Sequence, residues 1–249
     1  MFSLDLNCTQ EAKDLTIAEL WEEGSAGIVE LEGDRLRAFF NNDKDKQRLA
    51  VRFGAEAKAT ENIDWIAISQ SSLHPMAVGD RFFLVPEWRA DLTPEGRHRI
   101  EVNNGLAFGT GRHETTQLCM ELLEKYVQPG MTVIDVGTGS GILAHAAMLL
   151  GAALVVGCDI DPLAAEVAAR RGVTTFIGSS EALRDSVADV VVANISPGAL
   201  RELSSEWPRL LKSGGYGILS GVEIHDEVPF TSIEVRDKGE WRALVIRKP

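Results

Sequence analysis

Residues 133–161 read VIDVGTGSGILAHAAMLLGAALVVGCDID. A short apolar strand runs into three glycines, an alanine-rich helix follows, and a second apolar strand ends on an acid. This is the outline of a mononucleotide-binding βαβ unit. Gly137, Gly139 and Gly141 permit a tight turn and a close backbone approach. In open α/β sheets, ligands bind beyond the carboxyl ends of the strands. The spacing is GxGxG, with Ile142 where the dinucleotide fingerprint GxGxxG has its third glycine. Asp135, two residues before Gly137, is expected at the mouth of the turn, where an acid repels a diphosphate and attracts a cation. A sulfonium with an attached ammonium, as in S-adenosylmethionine, suits such a site better than a dinucleotide. Asp159, at the end of the next strand, can accept hydrogen bonds from both ribose hydroxyls, a role common to both ligand classes. Taken alone, the glycines are also what a plain strand–helix turn requires. Asp135, Gly137, Thr138, Gly139 and Asp159 together make the expected cofactor-binding set.

The rest of the chain bounds this reading. It has 249 residues, 45% hydrophobic and 25% charged, room for a large domain with a small one beside it. Cys8, Cys119 and Cys158 stand far apart without a CxxC pair, so neither a disulfide framework nor a structural zinc site is expected, and a cytoplasmic setting fits. The start, MFSLDLNCTQEAKD, has no basic region followed by an apolar core, and no signal peptide is read there. Residues 141–158 carry no formal charge, but a helix, a glycine break and a buried strand account for them better than a bilayer span. The net charge of −12 argues against a broad nucleic-acid surface and favours a basic partner at long range, although acidity also simply keeps a protein soluble.

Periodicity divides the chain in three. Residues 1–69 read as βαββαβ, with SLDLN as first strand, Leu15, Ala18 and Trp21 on one helical face, a short polar helix at about 43–53, and DWIAIS closing the unit: a ferredoxin-like α+β domain. Residues 70–100 read as a linker and strand pair. Residues 101–249 alternate strand and helix through VIDV, LVVGC, TTFI, DVVVAN and YGILS, then end in a hairpin turning at DKGE. The fold class is therefore α/β, a Rossmann-like doubly wound sheet, mostly parallel with an antiparallel C-terminal hairpin. Pro208 is expected to kink or end the helix that carries Leu200, Leu203 and Trp207. DVVVANISPGAL places Asn194 just past a strand, at the same sheet edge as Gly137 and Asp159. It either presents its carbonyl to a substrate N–H or merely caps the helix beginning near Pro197.

NGLAFGTGRHETTQLC at 104–119, followed in order by VIDVGTGSGILA, GCDIDPLA, DVVVANI, LKSGG, LSG and GEW, resembles the PrmA family of bacterial methyltransferases acting on ribosomal protein L11. The resemblance runs over nearly the whole chain and is strongest from 101 to 221. It implies S-adenosylmethionine contacts at Thr116, Gly137, Asp159 and Asn194, with Phe108 and Thr110 lining the loop that closes over the methionine end. With the side-chain carbonyl read above, Asn194 is the expected catalytic residue, orienting the amine, and Thr110 is set beside it. It also implies that residues 1–69 recognise the protein substrate, ribosomal protein L11 or another basic protein. Arg112 stands where the family more often has Thr or His, and Ser196-Pro197 where many members have Leu-Ala or Leu-Tyr. The stretch from Gly221 to Trp241 is short for the helix that family members carry there, and the helix around 162–171 is trimmed. These departures spare the cofactor residues and bear on the substrate. The alternatives are another protein or small molecule as acceptor, or a factor that binds the cofactor without turnover.

Other chemistries lack their motifs. His74, His98, His113, His145 and His225 show no HxxxH or HxH spacing, so no metal is expected, and only His113, in the GTGRHETT loop, invites testing. GxSxG and GxxxxGK[ST] are both absent.

Overall fold

The computed structural model describes residues 1–9, 13–31, 34–59, 73–102 and 111–249. They form two compact units, Met1–Leu73 and His74–Pro249.

In the first unit the elements run β1 (Phe2–Asn7), α1 (Lys13–Glu22), β2 (Gly27–Leu31), β3 (Arg35–Phe40), α2 (Lys46–Arg52) and β4 (Glu56–Ala59). The sheet is antiparallel in the order β2-β3-β1-β4, the ferredoxin-like arrangement. The strand period of two turns Phe2, Leu4 and Leu6 inward with Leu36, Ala38 and Phe40 of β3, and the Phe2 and Phe40 rings stack across the pair with centroids 5.2 Å apart. One expectation is corrected. The inward row of α1 is Ile17 and Leu20, while Ala18 and Trp21 face solvent: the aliphatic row fits against Leu4, Leu36 and Leu49. Among the described residues, Glu56–Ala59 pairs with the other edge of β1, where Lys58 reaches Asp5; DWIAIS, expected to close the unit, lies outside the described residues.

The second unit begins with a small sheet, β5 (Met76–Val78), β6 (Phe82–Pro86) and β7 (His98–Val102), in which β6 and β7 run parallel. Then follow α3 (Glu114–Tyr126), β8 (Thr132–Val136), α4 (Ile142–Leu149), β9 (Leu154–Asp159), α5 (Pro162–Arg170), β10 (Thr174–Ile177), β11 (Ala188–Asn194), α6 (Pro197–Glu202), α7 (Glu206–Leu210), β12 (Leu211–Glu223), β13 (Glu234–Lys238) and β14 (Trp241–Arg247). The seven-stranded sheet has the order β10-β9-β8-β11-β12-β14-β13, parallel through β12 and antiparallel beyond it. Strand order reverses between β8 and β11, which makes the carboxyl ends of β8, β9 and β11 the switch point. One face packs on α3 and α4 through residues such as Val133, Leu118 and Ala146. The other packs on α6 and α7 through Ile134, Leu200 and Trp207.

The helix break falls earlier than Pro208. The chain leaves α6 at Leu203–Ser205, and Pro208 sits in the first turn of α7, where its missing N–H costs nothing. Residues 141–158 divide among α4, a turn at Gly151 and β9. Among the described residues no helix is long and apolar enough to cross a membrane.

Candidate active site

The glycine turn is held from below and from the side. The N–H groups of Gly137 and Thr138 both donate to the Cys158 carbonyl, at 2.9 and 3.0 Å. The N–H of Gly139 donates to Asp159 Oδ2 at 2.9 Å, while Asp159 Oδ1 accepts from the Asp161 N–H at 3.0 Å. Asp159 thereby fixes the turn and keeps lone pairs for a ligand. Gly137 is at φ +71°, and a Cβ there would overlap Cγ2 of Ile195. The turn is therefore closed against the residue that follows Asn194.

Asp135 lies beneath the turn, not at its mouth. Its neighbours Ile134 and Val136 belong to the α6/α7 face, so alternation points Asp135 to the other side, under α4. The carboxylate is wholly buried, and its Oδ2 accepts from Thr138 Oγ1 at 2.8 Å and from the Ala144 N–H at 3.1 Å. Its Oδ1 is buried without a partner among the described residues. Burial pushes the Asp135 carboxyl up to about 6, against the two hydrogen bonds that favour its ionised form. Because this folded value exceeds the ordinary 3.8, the unfolded chain releases this proton first as pH rises. Stability from this site therefore falls between pH 4 and 6, by about 3 kcal/mol, and is level above that. In urea unfolding from pH 4 to 7, Asp135→Asn should show a flatter profile than the parent chain. Identical slopes would refute the assignment.

Asn194 ends β11 half-buried, and its Nδ2 donates to Thr116 Oγ1 of α3 at 3.3 Å, leaving the side-chain oxygen as an acceptor. It does not cap the following helix. Ser196 does, accepting from the Ala199 N–H at 3.3 Å, with Pro197 in the first helical turn. Arg112 is likewise architectural: its guanidinium donates to the His74 carbonyl at 2.8 Å. Phe108 and Thr110 lie outside the described residues.

Beside Asn194 opens a cleft of about 540 Å³ lined among others by His113, Ile195, Ser196, Glu223 and Trp241. His113 is the N-cap of α3, its ring accepting from the Thr115 N–H, and packs edge-on against Trp241 with centroids 4.7 Å apart. Of the residues expected from sequence, Asn194 lines this cleft, whereas Asp135, Gly137, Thr138, Gly139 and Asp159 gather around the turn. Trp241, Glu223 and Ile195 were not anticipated there. GEW and LSG flagged the neighbourhood without a role. The thiols of Cys119 and Cys158 are pushed up by burial, Cys158 to about 12, so neither offers a nucleophile.

A nucleoside with a charged amino-acid tail fits the turn: among the described residues the N-terminus of α4 has no side-chain cap and Asp135 below keeps an unpartnered oxygen, and Asp159 stands at the end of β9. This sheet order and switch-point site define a Rossmann-like methyltransferase fold. A solved structure of ribosomal protein L11 methylase from Lactobacillus delbrueckii subsp. bulgaricus superposes with a TM-score of 0.65 at 31% identity, covering 71% of this chain and all of that one. The family model for ribosomal protein L11 methyltransferase (PrmA) matches residues 32–249, and the chain belongs to that family. The ribosomal protein L11 methyltransferase of Burkholderia pseudomallei (strain 668) is 41% identical over 199 residues, which cover 78% of this chain and 65% of that protein. That of Vibrio cholerae serotype O1 (strain ATCC 39541) is 45% identical over 220 residues, covering 82% and 74%. The chain thus spans a little under two thirds of the length of the Burkholderia relatives it matches.

Proposed function

We propose that this chain is an S-adenosylmethionine-dependent N-methyltransferase whose acceptors are amino groups, lysine or N-terminal, of ribosomal protein L11. The observation that carries the reading is the position of Asn194. It is tied to Thr116 at the switch point and lines a cleft with Ile195, whose side chain closes on Gly137 of the glycine turn. The family and the fold support the same assignment.

Bound S-adenosylmethionine would supply a methyl on a sulfonium, so that an N–C bond forms as the S–C bond breaks and a neutral thioether leaves. Asp159 would hold the ribose, and the turn from Gly137 to Gly139, with Thr138 and Thr116, the remainder. The chain's chief task is alignment. Asn194 Oδ1 accepts an N–H of the incoming amine and points its lone pair along the transfer axis. Freeing that lone pair from a lysine ammonium at pH 7 costs about 4–5 kcal/mol in water, which desolvation in the cleft lowers. The proton leaves to solvent, and no side chain acts as nucleophile. In this reading Met1–Leu73 recognises the protein substrate, and the chain's net charge of −12 favours a basic one.

The test is intact-mass spectrometry of ribosomal protein L11 from the same source, incubated with the chain and S-adenosylmethionine. One or more methyl increments are expected. Confirmed cofactor binding without an increment would keep the fold and site but reject this acceptor.

A further inference from the structure

The cleft beside Asn194 contains a charged element that methyl transfer itself does not require. Along β12 and β14 the register runs Ser220↔Ala243, then shifts at Gly221 to Val222↔Arg242 and Glu223↔Trp241. This bulge inserts one residue into β12. Without it Val222, now wholly buried, would stand opposite Trp241; with it Glu223 does. The position is then pinned. The Glu223 N–H donates to Asp226 Oδ2 at 2.8 Å, its carbonyl accepts from the Asp226 N–H at 3.0 Å, and the Ile224 N–H donates to the Glu240 carbonyl at 2.9 Å. One oxygen of Asp226 is thus spent on the turn. The Glu223 carboxylate is exposed and has no cation partner among the described residues, and no Lys or Arg lines the cleft.

We propose that Glu223 is a specificity-determining residue of this cleft: it receives the ammonium end of an incoming lysine-type side chain, whose methylenes lie along the face of Trp241. The inference rests on the amine-methylation reading above and adds to it the means by which a cationic acceptor is selected. A carboxylate paired with Trp241 answers both halves of such a side chain, charge and apolar stem. Its action belongs to capture. A nearby carboxylate favours the charged amine and would oppose deprotonation if it stayed paired at the moment of transfer. Glu223→Gln should therefore raise KM for the protein acceptor without lowering kcat.

The deciding experiment needs no turnover. The full chain, saturated with S-adenosylhomocysteine, is titrated with Nα-acetyl-lysine methylamide and with its neutral counterpart Nα-acetyl-norleucine methylamide, following the Trp241 indole N–H by NMR. The parent chain should prefer the lysine compound. Glu223→Gln should weaken that compound about three- to fivefold, as for an exposed ion pair, and leave the norleucine compound unchanged. No preference in the parent chain, or equal effects on the two compounds, would overturn the proposal. Loss of ribosomal protein L11 methylation with the charge preference intact would instead overturn the acceptor assignment. The exposed position of Glu223 makes the variant's fold safe, and an unshifted indole spectrum checks it.

Discussion

Gly221→Ala is expected to unfold at a markedly lower temperature than the parent chain and to lose methyl transfer by about 10²-fold or more. Gly221 is at φ +98°, and a Cβ there would overlap the carbonyl group of Ile195. The obstacle is backbone on a neighbouring strand end, which has no rotamer by which to yield. Overpacking and left-handed strain together cost about 2–6 kcal/mol. For a chain of this size that lowers Tm by roughly 5 °C or more. Ile195 is also anchored through its N–H to the Ser220 carbonyl at 3.2 Å. Relief of the overlap must therefore displace the segment that carries Asn194, and misplacement by about 1 Å is enough for the kinetic loss. Calorimetry and the methyl-increment assay on one preparation check both halves. A normal melt with full turnover would mean that the strand end is not where we place it.

Asn194→Ala separates binding from chemistry. Cofactor affinity should stay within about 1–2 kcal/mol of the parent value, because the side chain contributes at most a hydrogen bond or two. Transfer should fall by about 10²-fold or more, because in the proposed mechanism the amine loses the acceptor that orients it. The contact to Thr116 makes the site rigid without making it essential to the fold, so the variant should melt near the parent temperature. Calorimetric titration with S-adenosylmethionine, followed by the same assay, gives both numbers. Turnover that survives would assign Asn194 a structural role only.

What could be read from sequence follows from how parallel sheets are built. VIDV, LVVGC and DVVVAN are buried strands bounded by turn residues, and parallel topology brings their carboxyl ends to one edge. Gly137, Asp159 and Asn194 thus fall together without knowledge of any long-range register. Asp135 escaped because a strand buried on both faces shows no alternation in sequence. Nothing in VIDV says which side the acid takes until α4 is seen to lie over it. In α1, two apolar rows compete, and only the shape of the sheet surface decides that Ile17 and Leu20 win over Trp21. The cleft wall was least legible. Glu223 and Trp241 meet through an antiparallel register and a one-residue bulge, and their separation in sequence carries no signal of either. Arg112 and Ser196, which stand out in sequence as departures from the family, serve a loop tie and a helix cap.

Ile195 touches both halves of the site: its side chain closes on Gly137 and its carbonyl on Gly221. One residue is thus a party wall between the glycine turn and the cleft beside Asn194. A ligand that displaced it from one side would alter the room on the other, and the two affinities would then be thermodynamically linked. By reciprocity, whatever factor the cofactor imposes on acceptor binding, the acceptor imposes on the cofactor. A substitution that moves Ile195 to suit one compartment would therefore be registered in the other.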